Sequence, residues 1–135
     1  MALMEWSGDL SVGVEKIDAQ HKMLIHMING LNEAMGMGKG KEVMGKIIEG
    51  LVSYAQAHFS LEEALFEKTA YPGAVPHKLE HSSFVEKISG FRDAFNSGKV
   101  GVSLEVMNFL CYWLKDHING IDKKYTSHFN ALGIR

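Results

Sequence analysis

The sequence predicts an all-α protein: an up-down-up-down four-helix bundle with a non-helical N-terminal arm, forming one domain over residues 1–135. Three observations lead there. The only two prolines, Pro72 and Pro76, lie together, which leaves long stretches free of the residue that breaks helices. Apolar side chains recur at spacings of three and four along four separate segments. The connections between those segments are short and carry glycine or proline, so neighbouring helices should run antiparallel.

The elements follow in order. After an arm reaching to about residue 17, His21, Leu24, Ile25, Ile28, Leu31 and Met35 form the first stripe, with Asp18 as the expected N-cap and Gly36-Met37-Gly38 as the stop. Met44, Ile47, Ile48, Leu51, Ala55, His58, Glu62, Leu65 and Phe66 form the second, ended by the Tyr71-Pro72-Gly73 turn. The third runs through His77, His81, Phe84, Ile88, Phe91 and Phe95 to Asn96-Ser97-Gly98. A fourth opens near Ser103 and contains Val106, Met107, Leu110, Trp113, Leu114 and His117. Gly120 interrupts it, and a short tail with Tyr125 and Phe129 follows.

Composition narrows the function. A chain of 135 residues with 46 % hydrophobic and 22 % charged residues can bury a core of its own. A net charge of −2 argues against a nucleic-acid partner, which would need a basic face. No apolar run approaches the ~18–20 residues of a membrane helix, and Glu5 and Asp9 are out of place in a signal peptide. One cysteine, Cys111, cannot form an internal disulfide, which points to a reducing cytoplasm.

The stripes contain an anomaly. His21, His58, Glu62, His77, His81 and His117 all occupy positions that should face the core. A single buried histidine is ordinary when it has a partner. Six ionisable groups in one small bundle, at ~1–3 kcal/mol for each unpaired polar group, would rival a domain stability of ~5–15 kcal/mol. A metal centre would hold them. The spacing agrees: His58 with Glu62, and His77 with His81, stand one helical turn apart on a common face. His117 and Asp122 are separated by five, which on an ideal α-helix leaves Asp122 well off that face. A π-type bulge or a break near Gly120 is therefore expected, swinging Asp122 inward.

These residues, His21, His58-x-x-x-Glu62, His77-x-x-x-His81 and His117-x-x-x-x-Asp122, resemble the ligand set of the hemerythrins, specifically the bacterial group. The framing residues match as well: Trp6, Ser11-Val12-Gly13-Val14, Asp18-x-Gln20-His21-Lys22, His58-Phe59-x-x-Glu62-Glu63, Tyr71-Pro72 and Trp113-Leu114-x-x-His117-Ile118. The likeness covers essentially the whole chain. It implies two non-haem iron ions bridged by Glu62, Asp122 and an oxo or hydroxo group. His77, His81 and His117 would hold one iron, His21 and His58 the other. Leu24, Phe59, Trp113, Leu114 and Ile118 would line the pocket for O2. With both carboxylates and one hydroxide bridging, seven side chains leave one of twelve positions on two six-coordinate metals open, which suits an exogenous ligand.

The resemblance thus implies an oxygen carrier, store or delivery protein with no enzymatic turnover, its partner being O2 and its competitors nitric oxide or small anions. Imidazole outnumbers carboxylate five to two, whereas oxygen-activating ferritin-like centres use more carboxylates and Glu-x-x-His pairs. An oxygen or redox sensing domain, a di-iron peroxidase or nitric-oxide-handling enzyme, and a zinc-stabilised bundle stay open. So does the role of Phe59 and Trp113, which ordinary core packing would also explain. His26, His128, Glu63 and Cys111 are expected to be surface, tail, solvated and packing residues respectively.

Overall fold

The computed structural model describes residues 4–135. Helices α1 (Glu15–Gly36), α2 (Gly40–Thr69), α3 (Ala74–Asn96) and α4 (Val102–Tyr112) form the bundle, and α5 (Thr126–Ala131) closes the chain. Helix α1 packs on α2 and α4, and α3 packs on the same two, which is the predicted up-down-up-down arrangement. No helix among the described residues is long and apolar enough to cross a membrane.

The stops are those expected from the sequence. Gly38 turns the chain between α1 and α2 with a φ of 72°, a conformation that costs glycine little. Helix α2 ends on Ala70 in the left-handed region, and the Tyr71 N–H reaches back to the Phe66 carbonyl at 3.0 Å. Pro76 falls in the first turn of α3, where a missing N–H removes no helical bond.

Asp18 does not play its expected part. Helix α1 begins at Glu15, and the Asp18 carboxylate turns back to the arm, accepting bonds from Ser11 Oγ at 2.6 Å and the Val12 N–H at 2.8 Å. The arm is held because Val12, Val14 and Ile17 pack with Phe66, Tyr125 and Phe129 in a second apolar cluster at one end of the bundle. Gly13 lies under the tail at φ 75°, and a Cβ there would meet Thr126 Cγ2 at 2.7 Å. The Thr126 hydroxyl donates to the Val12 carbonyl, and the Asn130 amide donates to the Gly13 carbonyl.

The fourth helix departs from α geometry as the five-residue spacing requires. After Tyr112 it continues as a π-helix over Trp113–Ile121, then tightens to a 3-10 turn over Asp122–Tyr125. Gly120 is not a break. The π segment starts at Trp113, and Gly120 keeps a negative φ. The Asp122 N–H bonds to the His117 carbonyl, an i to i+5 link that sets Asp122 one turn above His117.

Candidate metal centre

The main apolar cluster fills the bundle from Met44 and Leu31 to Trp113 and Ile118. Beneath it, all seven predicted ligands come together: His21, His58, Glu62, His77, His81, His117 and Asp122 are each no more than 3 % exposed. They form two groups. His77, His81, His117 and Asp122 make one, and His21, His58, Glu62 and Asp122 the other. Asp122 thus belongs to both. Its Oδ1 lies 2.8 Å from His77 Nε2 and 3.0 Å from His117 Nε2, while Oδ2 lies 3.2 Å from His21 Nε2. Glu62 also faces both sides, with Oε1 3.2 Å from His58 Nε2 and 3.0 Å from His81 Nε2.

These contacts are not hydrogen bonds. His77 Nε2, His81 Nε2, His117 Nε2, Glu62 Oε1 and both Asp122 oxygens are buried without an aligned partner. Six orphaned atoms converging on one point would be unstable in an ordinary core. For a metal they fit. Adjacent ligands around a six-coordinate ion with bonds of ~2.1 Å stand ~3.0 Å apart, and the separations here run from 2.8 to 3.2 Å. The Nε2 atoms of His21 and His58 are only 3.0 Å apart. Either one ring N–H donates to the other nitrogen, or a cation held by both takes up the two lone pairs.

Charge follows the same logic. Burial and the neighbouring Asp122 push the Glu62 carboxyl up, but His58 and His81 outweigh them and hold it down at about 2. Burial likewise opposes ionisation of Asp122, yet His117, His21 and His77 keep it well below the usual carboxylate range. Both carboxyls are therefore anionic donors. Burial lowers the affinity of His81 for a proton, and the Glu62 and Glu63 carboxylates raise it by more.

Neighbouring side chains orient the candidate ligands. The His58 Nδ1–H donates to Gln20 Oε1 at 2.6 Å, and the His81 Nδ1–H donates to Glu63 Oε2 at 2.9 Å. Each bond puts the ring proton on Nδ1 and turns the Nε2 lone pair inward. Tyr125 donates its hydroxyl proton to Glu62 Oε2. From the sequence alone, Glu63 is expected to be solvated. Its helical position beside Glu62 suggests as much, but the side chain is only 37 % exposed and reaches across to α3. The four-residue step from Glu63 back to Phe59, which stacks on His81, was the available signal.

The residues predicted to line the O2 pocket are all buried in the main cluster: Leu24, Leu114 and Ile118 completely, Phe59 and Trp113 nearly so. Phe59 stacks on His81 with ring centroids 3.9 Å apart, and Trp113 on His117 at 3.8 Å. Both aromatic rings therefore cover the three-histidine group. His26 is exposed on α1. His128 contacts the Thr69 carbonyl at 2.9 Å at the end of α2, away from the ligands.

Fold and site together define a four-helix bundle built around a histidine-rich pair of metal-binding groups. The profile of the hemerythrin HHE cation binding domain matches residues 12–128. A bacteriohemerythrin of Stenotrophomonas maltophilia (strain R551-3) is 35 % identical over 97 % of this chain and 84 % of its own length. One from Pseudomonas aeruginosa (strain LESB58) is 38 % identical over 93 % and 80 %. The crystal structure of a wild-type hemerythrin superposes with a TM-score of 0.84 at 31 % identity, covering 93 % of this chain and 97 % of that one. The chain belongs to the hemerythrin family. Membership makes its centre a di-iron, oxygen-binding one.

Proposed function

We propose that residues 1–135 form a single-domain cytoplasmic protein that binds O2 reversibly, to carry, store or deliver it, without turning over a substrate. The observation that supports this reading best is the convergence of seven buried side chains with donor atoms spaced as metal ligands, those facing the centre from Glu62, His77, His81, His117 and Asp122 lacking any hydrogen-bond partner. His77, His81 and His117 would hold one iron, His21 and His58 the other. Glu62 and Asp122 would span the two, beside an oxo or hydroxo group. An iron pair so held supplies two electrons and an open position for dioxygen.

The chain's own residues do the rest. Five imidazoles add no charge, so the two carboxylates partly neutralise the metals in a low-dielectric interior. Gln20 and Glu63 hold protons at Nδ1 of His58 and His81, keeping Nε2 free to coordinate. Leu24, Phe59, Trp113, Leu114 and Ile118 would exclude water from the centre. Tyr125 steadies the outer oxygen of Glu62. Nitric oxide and small anions would compete at the same position, and a chain of net charge −2 has no call on nucleic acid.

The test is a visible spectrum of iron-quantified protein, reduced without air and titrated with O2. Charge-transfer bands should grow to completion at one O2 per two irons and disappear under vacuum. Oxidation of both irons without a reversible adduct would refute the carrier reading and leave the sensor and oxidase alternatives.

A further inference from the structure

Two buried donors beside the centre, which lie next to each other, make no aligned hydrogen bond in the protein. Tyr54 is 5 % exposed and Trp113 4 % exposed, yet neither the Tyr54 hydroxyl nor the Trp113 indole N–H forms a hydrogen bond. A tyrosine that served only to pack could be phenylalanine here and be relieved of an unpaired polar group.

Their placement gives the pair a purpose. The Tyr54 ring stacks on His58, with centroids 5.1 Å apart and planes 18° apart. Trp113 stacks on His117, so each ring leans on a ligand of a different group. Both also border the same two phenylalanines. Phe59 lies 6.2 Å from Tyr54 and 6.1 Å from Trp113, and Phe84 lies 6.1 Å and 4.6 Å away. Phenylalanine offers no acceptor. Burial, then the Asp122 and Glu62 charges, push the Tyr54 hydroxyl well above the usual phenol range, and the neighbouring Trp113 indole N–H works the other way.

We propose that Tyr54 Oη and Trp113 Nε1 form a donor pair that hydrogen-bonds a small acceptor ligand held on the His21/His58 side. Dioxygen and small anions both offer such acceptor atoms. Tyr54 is then a specificity-determining residue, favouring ligands that carry negative charge when bound. This rests on the di-iron reading above.

Tyr54→Phe removes the hydroxyl and keeps the ring. Azide is the probe, titrated by absorbance into oxidised, iron-quantified wild type and variant. The variant should keep two irons and bind azide about three- to tenfold more weakly, the loss of one hydrogen bond. The infrared stretch of bound azide should also lose part of its shift in D2O. Freed of iron, the variant should melt no lower than wild type, because only an unpaired hydroxyl has gone. Equal azide affinity would overturn the proposal, and so would an iron-free variant that melts several degrees lower. A wild type that takes up no iron pair would instead sink the parent reading, and the iron-free melting comparison would still decide whether the hydroxyl is unpaired.

Discussion

Replacing Glu63 by alanine tests whether a half-buried carboxylate outside the ligand set controls how firmly iron is held. The carboxylate accepts the His81 Nδ1–H at 2.9 Å and is 37 % exposed. A hydrogen bond to a charged group is worth ~1.5–3 kcal/mol, and the partial exposure argues for the lower figure. About 1.5 kcal/mol corresponds to roughly tenfold in metal affinity, the low end of what losing the hydrogen-bond partner of a metal-ligating histidine usually costs. Glu63→Gln keeps an acceptor without the charge and should fall between. The assay is anaerobic loss of Fe(II) to an excess of chromogenic chelator, with Glu86→Ala as a neighbouring exposed control. Iron-free Glu63→Ala should unfold within ~1 kcal/mol of wild type, since little apolar surface is lost. If chelation runs at the wild-type rate, His81 is oriented by packing on Phe59 alone. If iron-free stability falls as far as iron retention, Glu63 is a structural residue and the reasoning fails.

Other outcomes follow from the same contacts. Glu62→Ala should lose iron and thermal stability together, because metal binding is partly folding free energy; retention of both irons at an unchanged melting temperature would refute its bridging role. Leu114→Ala empties a fully buried position at a cost of ~2–5 kcal/mol. It should speed autoxidation of the oxygenated protein, followed by loss of the visible band; an unchanged rate would remove Leu114 from the pocket. Gly13→Ala forces a φ of 75° and a 2.7 Å contact on Thr126. Denaturant melts should show ~1–3 kcal/mol of destabilisation, and a neutral result would mean the arm does not pin the tail.

Much of this molecule could be read from residue order because its signals are periodic. Four apolar stripes with two clustered prolines left little alternative to a bundle, and the candidate ligands stood out as polar groups on those stripes. The five-residue step from His117 to Asp122 even carried the π-helix, though not its extent or the ordinary conformation of Gly120. What was illegible depended on direction across helices. Asp18 looks like a cap from its place before a stripe, but tertiary packing of Val12, Val14 and Ile17 turned it toward the arm. Glu63 looks solvated beside Glu62 until α3 brings His81 within reach. The unpaired state of Tyr54 likewise has no trace in spacing, since it reflects what its neighbours fail to offer.

The arm and the π-helix are two parts of one solution. An α-helical fourth segment would place either His117 or Asp122 inside, but not both, because five residues overshoot a turn by ~140°. Widening the turn to i to i+5 bonds stacks them, at the expense of the tighter and commoner ladder. That expense must be offset nearby. Immediately after Asp122 the chain buries Tyr125 and Phe129 against the arm, ties Thr126 and Asn130 to the Val12 and Gly13 carbonyls, and sets the Lys123 ammonium on the Asp9 carbonyl. The N-terminal residues thus stabilise the distorted helix from outside, and through it hold in place the one carboxylate that both donor groups share.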